Sequence, residues 1–520
     1  MAKMEMRNVF PSHLLACFPY ETMNRVQEKV LPPAFHAQGN MMVCAPTGSG
    51  KTSVFEAAFL QMHERSRGDA KVKAVYIAPV KALLQERLGD WQKRFGASTL
   101  SMAFVELSGD TRDVGVQEVV GAQVILTTPE KWEAVMRSEE PWSGIVRSVE
   151  LLLIDEAHHI GDSPRGAVLE TTLCRMMRLS TIESAQKLSG CGIARLRIIA
   201  VSATFSNCDE FAGWINCSSR MLFQFGHEYR PVPLECHVFG FKKASNQFMH
   251  EQNLDSHVMP IVRKFADGKP TVVFCNSRGA SIRLARHISS VTLRTGTVDL
   301  VKLERQNELN EAFLRGCSKT LIDDLSCGVG YHHAGLRAQD RALIEDLFRR
   351  NLLSILCCTS SLAVGINLPA HLVIIKSTSI YQGSAEAEEY SPWSVLQMIG
   401  RAGRPGYDTS GVAVIMTEPD LVNSYEYLCS GKRSLRIESG VETQLSKMLN
   451  TEIALGCVKS TSEAISWLKT TFYGIQTLNR HSDSQEIAEK KISLAVTHLL
   501  RLGLKKLKGS YWQQSSISLW

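Results

Sequence analysis

Residues 41–58 read MMVCAPTGSGKTSVFEAA. An apolar run, a tight turn through two glycines and a helix-like stretch follow one another without a break. Ala45-Pro46-Thr47-Gly48-Ser49-Gly50-Lys51-Thr52 fits the phosphate-loop pattern from its second glycine on, with Ala45 where a first glycine is usual. The chemistry explains the residue types. Gly48 and Gly50 let backbone N–H groups turn toward phosphate oxygens. The following helix N-terminus favours an anion. Lys51 reaches the β- and γ-phosphates of a bound nucleotide, and the Thr52 hydroxyl can ligate magnesium.

Short β-branched runs like residues 40–45 recur along the chain, at 73–79, 123–128, 149–154 and 197–203, then at 271–276, 353–358, 372–378 and 411–417. Continuous apolar strands alternating with helical stretches predict parallel sheets covered on both faces. Two such sets predict two α/β domains, residues 1–228 and 229–425, with the proline-bearing YRPVPLE at 229–235 between them. No strand is expected beyond about residue 420. Apolar stripes over 442–502 predict a small helical third domain, 426–520. At 520 residues, 44% apolar and 21% charged, the chain has the composition of a folded protein. Its net charge of +6 permits a polyanionic partner without demanding one. No apolar run is long enough for a membrane span, and the N-terminus lacks the pattern of a secretion signal. Fourteen scattered cysteines with no C-x-x-C spacing predict free thiols in a reducing compartment.

A phosphate grip needs a metal holder and a base. The apolar strand LLLI, 151–154, ends in Asp155-Glu156-Ala157-His158. Asp155 is placed to hold magnesium and Glu156 to activate water, with His158 reporting the phosphate state elsewhere. In the second lobe, Gln397-Met-Ile-Gly-Arg401-Ala-Gly-Arg404 sets two arginines three apart, which reads as one face of a helix. Guanidinium groups supplied to a γ-phosphate from another lobe make hydrolysis depend on lobe closure, the arrangement of a motor.

These residues resemble the superfamily 2 helicases, within the superkiller-like branch. Phe18-Pro-Tyr20 and Gln27 resemble the adenine-contacting Q motif. Ala78–Leu83 and Thr127–Lys131 resemble motifs Ia and Ib, Ser202-Ala-Thr204 motif III, and Phe274–Arg278 motif IV. Tyr331–Leu336, Thr359–Ala370 and the 397–404 block complete the set. The resemblance implies two tandem RecA-like domains followed by a winged helix, with Gly365 added to the ATP contacts. It also implies nucleic-acid contacts at Lys81, Thr128, Lys131, Arg278 and Thr359, and coupling through His158, Ser202 and Thr204. A strand-separating hairpin is expected over 376–391, with its turn at Gln382-Gly383-Ser384 and Tyr381 stacking on a base. His332 and His333 read as structural or lobe-contact residues, with a metal site as the alternative. Arg501, Lys505, Lys506 and Lys508 near Trp512 read as a backbone grip or as a solvated basic face.

Longer blocks, such as YIAPVKALLQERLGDWQKRFG, are similar to the meiotic crossover helicases. The spliceosomal and activating-signal-cointegrator helicases are cousins. The resemblance implies a monomeric, nuclear, ATP- and magnesium-dependent 3′ to 5′ DNA helicase. An RNA helicase of the cousin type, or a nucleotide-switched clamp that does not unwind, stands as the alternative. The sequence stops at Trp520, in or just after the expected wing and before any helical ratchet of the family, which reads either as a shortened member or as an incomplete sequence.

Overall fold

Each of the nine apolar runs forms a strand in one of two parallel sheets. The computed structural model describes all residues except 1–3, 110–114, 163, 186–191, 245, 296–301, 361, 364–367, 381–387, 432–434, 479, 481–482, 504, 507–511 and 514–520. The first sheet takes β1 (Met41–Cys44), β2 (Lys73–Ile77), β3 (Phe104–Leu107), β4 (Val124–Thr127), β5 (Val149–Ile154), β6 (Arg197–Ser202) and β7 (Leu222–Gln224). Their order is β3-β4-β2-β5-β6-β1-β7, parallel throughout.

The second sheet begins with β8 (Leu234–Gly240), β9 (Thr271–Cys275), β10 (Val329–His332), β11 (Ile355–Thr359) and β12 (Leu372–Ile375). A two-stranded antiparallel ribbon follows, β13 (Ser379–Ile380) with β14 (Glu388–Glu389), and then β15 (Gly411–Thr417) rejoins the sheet. The order there is β10-β11-β9-β12-β15-β8, again parallel. The ribbon falls within 376–391, where the strand-separating hairpin is expected. Tyr381 and the turn residues 382–384 lie outside the described residues.

The chain divides into two compact units, Met1–Tyr229 with Leu435–Trp520, and Arg230–Ser434. Within the first unit, helices Val441–Ala454, Thr461–Thr470 and Ser484–Arg501 share a core with Ala167 of helix Arg165–Ala185. Contrary to the expectation that strands end near residue 420, a short antiparallel pair follows these helices, β16 (Lys505–Lys506) with β17 (Trp512–Gln513). Among the described residues no helix is long and apolar enough to cross a membrane, and every described cysteine is a free thiol.

Polar groups fasten the helical segment to the first sheet's helices. Arg175, buried, donates to Glu452 Oε1 from Nε at 3.1 Å and Nη2 at 2.5 Å. Asn207 pairs through its amide with the backbone of Ile437 in both directions, at 2.9 and 3.0 Å. Glu170 accepts from Ser439 Oγ at 2.7 Å and from the Tyr473 N–H at 2.9 Å. Burial raises the Glu170 carboxyl from 4.5 to about 7. An acid raised in the folded state stabilises the fold fully below its unfolded value, and that contribution is lost as pH rises through about 7. The docked segment is therefore expected to weaken between pH 5 and 8, by at most about 3 kcal/mol from this group. Glu170→Gln should remove that slope. Amide hydrogen exchange over residues 441–470 in both proteins checks it, and equal pH slopes would contradict it.

Candidate nucleotide site

The loop after β1 is shaped by its glycines. Gly48 and Gly50 adopt φ of +80° and +81°, a region costly for residues bearing a Cβ. A Cβ on Gly50 would also lie 2.7 Å from Gln27 Nε2. Lys51 stands at the start of helix Thr52–Ser66, and its Nζ donates to Ala45 O at 2.8 Å and Pro46 O at 3.2 Å. The ammonium thus lies back across its own loop. Ser49 closes the turn, Oγ to Pro46 O at 2.7 Å, and Thr47 lies within it. The donor set fits a nucleotide phosphate: glycine-freed amides, a lysine and a helix start at one point. Thr52 opens that helix and supplies a hydroxyl of the kind a magnesium ion takes.

Gln27 belongs to this loop's support. Asn24 Oδ1 accepts from the Gln27 N–H at 2.9 Å, and Gln27 Oε1 accepts from the Asn24 N–H at 3.0 Å, a reciprocal helix cap. Gln27 Nε2 donates to Tyr20 OH and to Ser53 Oγ, each at 3.1 Å, and Asn24 Nδ2 donates to Ser49 O at 3.1 Å. Both ends of the buried Gln27 amide are therefore engaged with its neighbours. The N-x-x-Q spacing signals the cap. The reach to the phosphate loop was not legible in it.

Asp155 follows the central strand β5 at its carboxyl end. Tyr76 OH donates to Oδ2 at 2.6 Å and the Glu156 N–H to Oδ1 at 2.9 Å. Burial and the neighbouring Glu156 lift the Asp155 carboxyl to about 6, against the pull of Tyr76, Arg87 and Lys51. Tyr76 and Arg87 are the residues that sequence reasoning missed here. Glu156 adopts φ +50°, ψ +50°, a left-handed conformation uncommon for its type. His158 is buried, and burial together with the stacked His159 pushes its pKa well below 6.5, so the ring is neutral at pH 7. Its Nδ1 meets Ser202 Oγ at 3.2 Å and lies 3.4 Å from Glu156 Oε2. Ser202 ends β6, and its carbonyl accepts from the Ala45 N–H at 3.1 Å. Three of the expected residues, Glu156, His158 and Ser202, thus join the phosphate loop in one network. Thr204 is not part of it: its hydroxyl donates to Phe225 O at 2.8 Å.

Two further helices start from the carboxyl ends of this sheet. Lys81 opens Lys81–Phe95 after β2. Thr128 caps Pro129–Met136 after β4, accepting from the Lys131 N–H at 3.4 Å. Helix starts at a sheet edge suit phosphate oxygens.

In the second unit, Arg278 opens helix Arg278–Thr295 beside His333, and Thr359 closes β11. His332 Nε2 meets Glu345 Oε1 at 3.0 Å, and His333 Nδ1 accepts from the Gly335 N–H at 3.2 Å. Gly365 lies outside the described residues. Gln397 is buried on helix Pro392–Ile399. The expectation that Arg401 and Arg404 share a helix face is corrected, because that helix ends at Ile399. The chain instead pairs with residue 370: Ala370 N donates to Arg401 O at 3.0 Å and Gly403 N to Ala370 O at 2.7 Å. Gly403 takes φ +88°, outside the right-handed helical region, and a Cβ there would lie 2.6 Å from Val232, so the position calls for glycine. Arg401 donates from Nε to Ala363 O at 3.0 Å, and Arg404 is paired with Asp408.

A two-sheet chain with a phosphate loop, a DEAH turn and an arginine block defines a class. Residues 24–211 match the DEAD/DEAH box helicase family and residues 253–406 the helicase conserved C-terminal domain, and the chain belongs to these helicases. Among relatives, it is 36% identical over 475 residues to the "ATP-dependent DNA helicase homolog MER3" of Arabidopsis thaliana, covering 89% of this chain and 41% of that protein. It is 37% identical over 481 residues to the "Probable ATP-dependent DNA helicase HFM1" of Mus musculus, covering 92% and 32%. The "Pre-mRNA-splicing factor brr2" of Schizosaccharomyces pombe matches at 33% over 523 residues, covering 96% and 23%. The chain therefore spans less than half the length of each of these relatives.

Proposed function

We propose that this chain is an ATP-hydrolysing DNA motor of the meiotic crossover type, moving 3′ to 5′ in the nucleus as a monomer. The observation that carries the reading is the joint network of Ala45, Glu156, His158 and Ser202, which ties the phosphate loop to the carboxylates. ATP supplies the scissile phosphoanhydride, and magnesium bound by Thr52 and Asp155 supplies charge neutralisation. Lys51 and the loop amides hold the phosphates. Glu156 orients water, and Gln397, Arg401 and Arg404 bring the second unit's polar groups and positive charge. Lys81, Thr128, Lys131, Arg278 and Thr359 meet the nucleic-acid backbone, a sequence-independent mode suited to a translocating enzyme. The helices after residue 441 with β16 and β17 serve as a winged helix. DNA is favoured over RNA because two of the relatives are named as DNA helicases.

The test is ATP hydrolysis measured alone, with single-stranded DNA and with single-stranded RNA, alongside unwinding of tailed duplexes. The expected result is stimulation of hydrolysis by DNA of at least tenfold, with DNA strand separation. Stimulation and unwinding on RNA alone would favour a splicing-type motor. Hydrolysis indifferent to either polymer would refute the motor reading.

A further inference from the structure

The second arginine of the 397–404 block is held by a carboxylate that no motif reading singles out. Asp408, four residues on, has a fully buried side chain. Its Oδ2 accepts from the Arg404 backbone N–H at 2.9 Å and from Nε at 3.0 Å, and its Oδ1 accepts from Nη2 at 3.2 Å. One residue therefore holds both the backbone and the guanidinium of Arg404. On the other side, Asn351 Oδ1 accepts from Nη1 at 3.0 Å. Lys269 Nζ at 3.9 Å and His371 Nδ1 at 3.5 Å face the same Asp408 oxygen. Burying a carboxylate is costly unless it is well paired and hydrogen-bonded, as Asp408 is here.

Of the five N–H donors of a guanidinium, these contacts use three, leaving one on each terminal nitrogen. An arginine otherwise has rotamer freedom that must be lost when it meets a ligand. Held in advance, it presents two donors in fixed directions to an incoming oxygen anion. We propose that Asp408 is a positioning residue for Arg404, setting the orientation in which its guanidinium meets a phosphoryl oxygen. The inference rests on the reading of Arg404 given under the proposed function. The low Asp408 pKa, held down by Arg404's hydrogen bonds despite burial, keeps the pair ionised.

The test is steady-state ATP hydrolysis with single-stranded DNA for the full chain, Arg404→Ala, Asp408→Asn and the double variant, with melting curves on each. Arg404→Ala should lower kcat by about 10³-fold or more. Asp408→Asn should lower kcat by about 10–100-fold, the effect of a misplaced catalytic group, with the KM for ATP within about twofold. In the Arg404→Ala background, Asp408→Asn should cost nothing further. Should Asp408→Asn unfold the chain, Asn351→Gly offers a second route. It keeps the left-handed backbone, φ +58°, while removing the other clamp, and its expected loss of kcat should also vanish without Arg404. An equal loss in both backgrounds, or a change in KM alone, would overturn the positioning role and leave Asp408 a fold residue. Full hydrolysis by Arg404→Ala would instead overturn the reading of Arg404 itself.

Discussion

Lys51→Ala is expected to leave a folded protein that no longer turns over ATP at a measurable fraction of the wild-type rate. The lysine Nζ contacts only two carbonyls of its own loop among the contacts described, Ala45 O and Pro46 O, and the side chain is half-buried. Losing such half-buried hydrogen bonds of a charged group costs about 1–3 kcal/mol each, small beside the first unit's apolar core. Turnover is different. A cation aimed where charge develops contributes about 10²–10³ in rate, because water cannot replace it in a fixed, partly dry site. The measurement is kcat with a melting curve. An alanine variant hydrolysing at the wild-type rate would remove Lys51 from the machinery.

The second large effect couples loss of activity to gain of stability. Asp155 is buried between Tyr76 and Glu156, and its carboxyl is raised from 3.8 to about 6. A raised acid favours the fold when protonated and opposes it once pH rises through about 6, so at neutral pH the ionised form costs up to about 3 kcal/mol. Asp155→Asn removes that charge and loses one of two hydrogen-bond acceptors, worth about 1 kcal/mol. The chain should gain about 1–2 kcal/mol and melt a few degrees higher at pH 7.5, while hydrolysis falls by at least about 10²-fold. At pH 4 the stability gain should disappear. A variant that melts lower at pH 7.5 would show that Asp155 is held in the fold by its charge.

The strands illustrate what a linear pattern can reveal. All nine expected runs became strands, and the four strands of the two parallel sheets that pattern reading missed, β3, β7, β8 and β10, are the four edges of those sheets. Central strands are buried on both faces and must be apolar at every position. Edge strands are relieved of that demand: LECHVFG of β8 alternates cysteine, histidine and glutamate among its apolar residues. The helix assumed under Arg401 and Arg404 failed for a related reason. The chain beyond Ile399 pairs instead with the backbone of Ala370, a neighbour far away in sequence.

By itself the sequence determined the two parallel sheets, the phosphate loop and the DEAH turn, because each depends on adjacent residues whose backbone needs and charges are local. The tertiary structure alone decided that Gln27 braces the loop, that Tyr76 holds Asp155, and that His158 reaches Ser202. Those partners lie 26, 79 and 44 residues apart. Only burial together in one core brings such groups within hydrogen-bond reach, and once buried they must find one another because water is no longer available to either.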